Sequence, residues 1–496
     1  MSSPLNPYHP PHTPPPVEKL SGQGSSFAAA TSVRYRIIAL TVAMSVLLYL
    51  DRFSIGPVTS TILKEMNWRR DDFGWAMFFF FVTYALFQVP SAWICDRFGS
   101  RVALPVYVLA WSLVTMLLGL SNSLIMVFIL RLLLGAAQAG AYPAAAGYIK
   151  KWVPLEGRAG ANGLTAMGGR AGSLLAFSLT GPIALLIGGM LGISTGQWRF
   201  VFVLYGLLGF IWAALFYWQF RERPEEHPAS NPAEAALASR AERTAKAQLA
   251  HDRLTAGIKE PSFPDTTPAS RLDHPLIRML FSPNVWLLSL SGFFVNVGWI
   301  FLVAWNTVYI SEKYEGQIAA FYGADLNDPA AVENALKAIA GPLTALPLLA
   351  GVLGCVTGGA LADRLLRRFG RIWGRRIPGL FSATLVTIGY FLALFVNDLW
   401  LFIGLMAAIS FFIDLGLGAL WATYQDIGGK NVGSVLGFAN MCGNLGAAAC
   451  GTLIGYIAQA RQWHWVFIIS SCSFLVVLCC WSFVNPTRPV VPRGDD

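Results

Sequence analysis

Long apolar runs separated by short polar connections dominate this chain of 496 residues. A helix needs about 20 apolar residues to cross the hydrocarbon core of a bilayer. Twelve segments meet this requirement, in two groups of six, which predicts an all-α integral membrane protein built from two six-helix bundles. Numbered as spans 1 to 12, these segments are approximately 36–57, 73–94, 102–120, 123–149, 159–189, 198–220, 284–310, 342–362, 377–396, 399–423, 432–458 and 464–484.

The polar segments divide the chain around these two groups. The stretch between the groups is rich in Ala, Arg, Glu and Pro and is too polar to span a membrane. The first residues are rich in Pro, Ser and Gly, which predicts a disordered tail. The predicted organisation is a cytoplasmic N-tail 1–33, a first bundle 34–220, a cytoplasmic linker 221–283, a second bundle 284–485 with a flexible, acidic external insert 312–341, and a cytoplasmic C-tail 486–496.

The distribution of Lys and Arg predicts the orientation, because these residues are enriched in cytoplasmic loops. If both termini are cytoplasmic, the cytoplasmic pieces hold 26 of the 36 basic residues and the external pieces hold 7. The remaining three, Arg52, Arg131 and Arg170, fall inside spans. We therefore expect a multi-pass protein with both termini in the cytoplasm.

Composition narrows the function. Only 13% of residues are charged, against about a quarter in a soluble chain. The net charge of +9 is spread over short loop clusters, so we expect no nucleic-acid partner. The seven cysteines form no CxxC pair and no GxxxxGK[ST] motif is present, so neither a metal site nor an ATP site is predicted. We expect no cofactor and no enzymatic activity.

The two groups of spans repeat each other in sequence. Four residues of span 5 match four of span 11 at a constant offset of 274: Gly163, Met167, Gly169 and Gly172 against Gly437, Met441, Gly443 and Gly446. A duplicated six-helix unit of equal orientation is a parallel repeat, which in transporters places the substrate site near the midplane between the halves.

Several motifs resemble a known family. DRFGSR (96–101), RLLLG (131–135) and the double six-helix repeat resemble the major facilitator superfamily. YLDR (49–52), RLLLGAAQAGAYP (131–143) and GFANMCGNLGAAACG (437–451) are similar to its anion:cation symporter family. The resemblance implies uptake of sugar acids such as galactonate, glucarate and hexuronates, or of other organic anions, with protons. It also implies a bacterial inner-membrane location, and we expect a monomer.

Five charged residues fall well inside spans: Asp51, Arg52, Arg131, Arg170 and Asp414. A charge at the centre of a span costs at least about 2.5–3.5 kcal/mol, so each is expected to face the protein interior. Polar stripes at helical spacing accompany them. These stripes are Arg131, Gly135, Gln138 and Tyr142 in span 4, Phe80, Tyr84 and Gln88 in span 2, Asp414, Gly418, Trp421 and Gln425 in span 10, and Asn440 and Asn444 in span 11.

The resemblance assigns roles to some of these residues. It implies that Asp51 carries protons, that Arg52, Arg131 and Tyr84 contact the anion, and that many members have a proton-coupling Glu where this chain has Gln138. Gln cannot titrate and the six His lie outside the hydrocarbon zone expected for the spans, so Asp414 is the candidate replacement. The full predicted substrate set is Tyr49, Arg52, Tyr84, Arg131, Gln138, Arg170, Trp421, Asn440 and Asn444.

A charge network is predicted at the cytoplasmic side. Asp-Arg follows both span 2 and its counterpart, span 8. We expect these duplicated residues to form a gate that holds the two bundles together. The gate residues are Asp96, Arg97, Gly99 and Arg101 in the first bundle and Asp363 and Arg364 in the second.

The predicted function is secondary transport of a small organic anion by alternating access, with protons. Planar Arg forks suit carboxylates, and three intramembrane arginines are hard to explain for a neutral solute. Two alternatives stay open. One is an exporter or exchanger of a neutral or cationic compound, in which Asp51 and Asp414 bind the substrate. The other is a transporter-like sensor that signals through the linker.

Overall fold

The computed structural model describes residues 31–490 apart from 69, 194, 235, 237–278 and 430. Most of the predicted N-tail, most of the linker and the end of the C-tail lie outside this part. The helices of the first bundle are Val33–Phe53, Thr59–Met66, Arg70–Phe98, Ser100–Gly119, Leu124–Gln138, Ala141–Trp152, Arg158–Leu191 and Trp198–Gln219. Those of the second are Pro283–Ile300, Asn306–Lys313, Glu315–Tyr322, Pro329–Ala393, Leu399–Ile427, Val432–Gln459 and His464–Phe483.

Eleven stretches of the described chain are long and apolar enough to cross a membrane. One of them, within the helix Pro329–Ala393, contains both span 8 and span 9. Its backbone leaves helical geometry at Gly370, where φ is 72° and ψ is −175°. Such a conformation is open to glycine because it has no Cβ. The break separates spans 8 and 9, so the predicted twelve-span, all-α fold is confirmed.

Two other spans are irregular near their middle. Span 4 is divided between Gln138 and Ala141. Span 7 contains a π-helical segment, Phe301–Trp305, between its two α-helical parts. The π-helix is rare, appears mostly as a single turn inside an α-helix, and is frequent at functional sites.

Repeat-equivalent glycines allow close helix packing in both bundles. A Cβ added to Gly172 in span 5 would collide with the carbonyl oxygen of Val46 in span 1. In the second bundle, a Cβ on Gly446 in span 11 would collide with the carbonyl oxygen of Phe293 in span 7. Small residues let backbones approach in this way within membranes. The two halves therefore pack their equivalent helices through the same positions.

The predicted external insert 312–341 contains the helix Glu315–Tyr322 and the start of the helix Pro329–Ala393. The helix Glu315–Tyr322 follows Tyr314, whose ring is buried 5.5 Å from that of Phe402. The Tyr314 hydroxyl donates a hydrogen bond to the carbonyl oxygen of Val396 at 3.0 Å. Burial of this aromatic ring fixes the insert against the end of span 9, an anchor that a count of acidic residues does not reveal.

Candidate functional site

Arg52 of span 1 lies inside the first bundle, 5% exposed. Its Nε donates to Oε1 of Gln138 at 3.1 Å. Its guanidinium carbon lies 4.3 Å from the ring centre of Tyr84 and 4.8 Å from that of Tyr49. Stacking on aromatic faces offsets part of the cost of burying a cation. The predicted residues Tyr49, Arg52, Tyr84 and Gln138 therefore form one cluster.

Arg131 of span 4 lies beside this cluster and is fully buried. One guanidinium nitrogen donates to the carbonyl oxygen of Arg52 at 3.5 Å and another contacts the Met77 sulfur at 2.8 Å. Phe80 links the two arginines, since each guanidinium carbon lies 5.1 Å from its ring centre. Nη2 of Arg52 and Nε of Arg131 have no hydrogen-bond partner within the described chain, and neither residue forms an ion pair there.

Asp51 points away from its neighbour Arg52. Its carboxyl group, 1% exposed, lies next to the indole of Trp111 in span 3. Neither carboxyl oxygen has a hydrogen-bond partner among the described residues. An ionised carboxylate without partners is costly to bury, so this environment favours the neutral acid.

Arg170 of span 5 and Asp414 of span 10 form a two-point ion pair that joins the bundles. Nε of Arg170 donates to Oδ2 of Asp414 at 3.1 Å, and Nη2 donates to Oδ1 at 2.7 Å. The Arg170 guanidinium also lies 4.4 Å from the ring centre of Trp299 in span 7. The structure therefore brings together two residues to which the sequence gives separate roles.

The other predicted substrate residues, Trp421, Asn440 and Asn444, all belong to the second bundle. Trp421 packs across the interface against Tyr142, with ring centres 5.0 Å apart, and Tyr142 lies 6.3 Å from Tyr49. Nδ2 of Asn444 donates to the carbonyl oxygen of Asn440 at 2.8 Å. Among the described residues, neither the Asn440 nor the Asn444 side chain hydrogen-bonds to an arginine. Of these three residues, only Trp421 is connected to Arg52, through the rings of Tyr142 and Tyr49.

At the side predicted to be cytoplasmic, each bundle presents a carboxylate to a helix start in the other. Asp96 accepts hydrogen bonds from the backbone N–H and hydroxyl of Ser434, at 3.0 and 2.8 Å. Asp363 accepts from the backbone N–H groups of Ala159 and Gly160, at 3.2 and 2.7 Å. Because Gly160 and Ser434 differ by the repeat offset of 274, the two contacts are symmetric equivalents. Helix N-termini favour negative charge.

The basic residues of the predicted gate lie elsewhere. Arg97 is exposed over the ring of Trp93, 5.3 Å away, and Arg364 is exposed. The backbone N–H of Arg101 donates to Glu222, which follows span 6, at 2.7 Å. Gly99 has φ of 82° and turns the chain between spans 2 and 3. None of these contacts crosses between the bundles, whereas the hydrogen bonds of Asp96 and Asp363 do.

The sequence analysis misses a cluster around Asp426 at the same side. Its carboxylate contacts Arg375 at 3.1 Å, Arg371 at 3.3 Å and, across the interface, Arg158 at 3.7 Å. Nη2 of Arg375 also donates to the carbonyl oxygen of Leu155 in the first bundle at 3.3 Å. The sequence does contain a signal for this cluster. Asp426 lies at the same end of span 10 as the Arg-rich loop 364–376 that precedes span 9.

We expect Asp96→Asn to open the cytoplasmic side, because it removes the negative charge from the start of span 11. Cys355 is a native reporter of this opening. It is buried in span 8, and its carbonyl is so close to Gly163 of span 5 that a Cβ there would collide with it. In a variant that keeps only this cysteine, the rate of maleimide labelling should rise severalfold.

The matched control is Glu225→Gln, which changes an exposed carboxylate at the same side. This variant should leave the labelling rate unchanged. An unchanged labelling rate in Asp96→Asn would contradict the gate.

Two repeated helical bundles of membrane-spanning length, with buried charges at the interface between them, are the architecture of a two-bundle membrane transporter. The chain belongs to the Major Facilitator Superfamily, whose family model matches residues 41–449 and 316–495. This confirms the family resemblance found in the sequence, and the relatives are transporters, not enzymes.

Among its relatives, the chain is 26% identical over 460 residues to a probable sulfoacetate transporter of Cupriavidus necator, covering 92% of this chain and 95% of the relative. It is 26% identical over 467 residues to a probable galactarate/D-glucarate transporter of Escherichia coli, covering 91% and 94%. A solved proton:xylose symporter shares the fold with a TM-score of 0.63 at 17% identity, covering 92% of this chain and 97% of that one.

Proposed function

We propose that this protein is a proton-coupled symporter of a small organic anion in a bacterial inner membrane, with both termini cytoplasmic. The observation that carries the proposal is the pair Arg52 and Arg131. Both are buried in the first bundle, both have unsatisfied nitrogens, and no described carboxylate pairs with either. A buried cation without a counter-ion is costly, so an anionic substrate is the partner that this pair lacks.

The arginines favour an anion whose charge is shared between neighbouring oxygen atoms. A guanidinium offers parallel N–H groups that match a carboxylate or sulfonate in a bidentate arrangement. The rings of Tyr49, Tyr84 and Phe80 limit the positions that the Arg52 guanidinium can take. This preorganisation lowers the entropy cost of binding. The two relatives, a probable transporter of sulfoacetate and a probable transporter of galactarate and D-glucarate, support an organic acid as substrate.

Asp51 is the proposed proton carrier. Its carboxyl group lies apart from Arg52 and next to Trp111, so the arginine does not hold it ionised by a direct contact. Gln138 occupies a different role from the coupling Glu of the family, because its amide bridges Arg52 and the carbonyl oxygen of Leu48. Asp414 is the second candidate, and its protonation requires the ion pair with Arg170 to open.

The test is uptake of radiolabelled acids by the purified full-length protein in proteoliposomes. Sulfoacetate, galactarate, glucarate and galactonate are assayed with and without an inward pH gradient. We expect at least one acid to accumulate only with the gradient. Uptake of neutral or cationic solutes, with none of the acids transported, would overturn the proposal and favour the exporter or exchanger alternative.

A further inference from the structure

The ion pair between Arg170 and Asp414 is distinct from the other contacts between the bundles. Asp96, Asp363 and Asp426 close the end of the interface, whereas Arg170 and Asp414 lie within spans 5 and 10. Its Arg170 side chain is 14% exposed and its Asp414 side chain 2%. The accessible side of the pair is therefore the cation.

Arg170 keeps part of its binding capacity in the paired state. Asp414 occupies Nε and Nη2, and Trp299 covers one face of the guanidinium. Nη1 has no hydrogen-bond partner in the described part of the chain, and it is not fully buried. A guanidinium held from two sides and open at a third position can receive an incoming acid group with little reorganisation.

Tyr49 connects this arginine with the Arg52 cluster. Its ring lies 4.8 Å from the guanidinium carbon of Arg52. On the side of span 5, a Cβ added to Gly169 would lie 2.9 Å from Cε2 of the same ring. Arg170 follows Gly169 directly. Two cationic groups, Arg52 with Arg131 on one side and Arg170 on the other, therefore both lie near the ring of Tyr49.

We infer that Arg170 receives a second acid group, so that the substrate is a dianion with an acid at each end. Asp414 occupies this receptor when the carrier is empty and is displaced by the substrate. The inference rests on the proposed function, since it assumes that Arg52 and Arg131 bind the first acid. A monoanion leaves the pair of Arg170 and Asp414 intact, whereas a dianion replaces that contact between the bundles with contacts to itself.

Galactarate and galactonate test this directly, because they share a six-carbon polyhydroxy chain and differ only in whether the far end is a carboxylate or a hydroxymethyl group. Sulfoacetate is compared with acetate and methanesulfonate in the same way. Binding to purified full-length protein should favour at least one dianion over its matched monoanions by about tenfold or more, the value of one hydrogen-bonded charge contact.

Arg170→Gln should reduce affinity for the dianion by about 10–100-fold and affinity for the matched monoanion far less. Asp414→Asn should raise affinity for the dianion severalfold, since it removes the competing carboxylate. The double variant Arg170→Gln/Asp414→Asn removes one positive and one negative charge, so the net charge of the site does not change. It replaces the single variants if either folds poorly, and it should lack the dianion preference. The matched control is Lys64→Gln, which removes an exposed charge at the side predicted to be external. This variant should retain the dianion preference.

Equal binding of the dianion and its matched monoanions by the natural sequence would overturn the inference, and so would an equal loss of both in Arg170→Gln. Either result leaves the proposed function in place, because an acid still binds. Failure of every acid to bind the natural sequence would instead remove the proposed function itself.

Discussion

Replacing Arg131 by Lys is expected to lower substrate affinity about 100-fold, although the positive charge remains. The fully buried Arg131 guanidinium uses separate nitrogens for the carbonyl oxygen of Arg52 and for Met77. A lysine has a single nitrogen and cannot keep these contacts while it also binds an acid. Two charge-assisted hydrogen bonds contribute about 1.5–3 kcal/mol each, so the loss of one to two of them gives this magnitude. Direct binding of a radiolabelled acid measures it.

Arg52→Lys should have a similar effect, because Arg52 uses Nε to bond Gln138 and its planar face to stack on Tyr84. Arg461→Lys is the matched control, since Arg461 is exposed at the side predicted to be external. If Arg131→Lys binds substrate as tightly as the natural protein, charge alone suffices and the bidentate argument fails. Arg170→Asn introduces the residue found at the repeat-equivalent position 444. It should weaken binding of the first acid group less than Arg131→Lys does.

The spans and the repeat could be predicted from the sequence because the bilayer imposes a length and a polarity on each helix. The offset of 274 that relates Gly172 to Gly446 also relates their packing, against Val46 in one bundle and Phe293 in the other. Small residues at equivalent positions indicate a close approach without naming the partner helix. The helical insert beyond Lys313 escaped prediction because its stability comes from the packing of Tyr314 on Phe402, far along the chain.

Partner choice among the buried charges could not be predicted. Helical periodicity places Asp51 and Arg52 about 100° apart, but only the fold shows that one meets Trp111 and the other meets Tyr84. Arg170 and Asp414 are separated by 244 residues, and each looked like an independent site residue. A pairing across two bundles depends on how the bundles dock. Single-helix patterns do not contain that information.

Replacing Asp51 by Asn is expected to abolish proton-driven accumulation while substrate exchange at equal pH continues. Asn has nearly the shape of a protonated Asp, and neither carboxyl oxygen of Asp51 has a hydrogen-bond partner in the described chain. The substitution should therefore fix the neutral, loaded form without disturbing the fold. The measurement is uptake driven by an inward pH gradient, compared with exchange of labelled for unlabelled substrate in the same vesicles.

This outcome follows from the placement of two charges in one helix. Because Arg52 contacts the substrate cluster and Asp51 lies next to Trp111 of span 3, substrate binding and protonation act on different faces of span 1. Each can change without a direct contact between the two residues. Asp325→Asn, an exposed carboxylate of the external insert, should leave both rates unchanged. Full pH-driven uptake by Asp51→Asn would show that another group carries the proton. The same assay on Asp414→Asn would then decide whether that group is the carboxylate paired with Arg170.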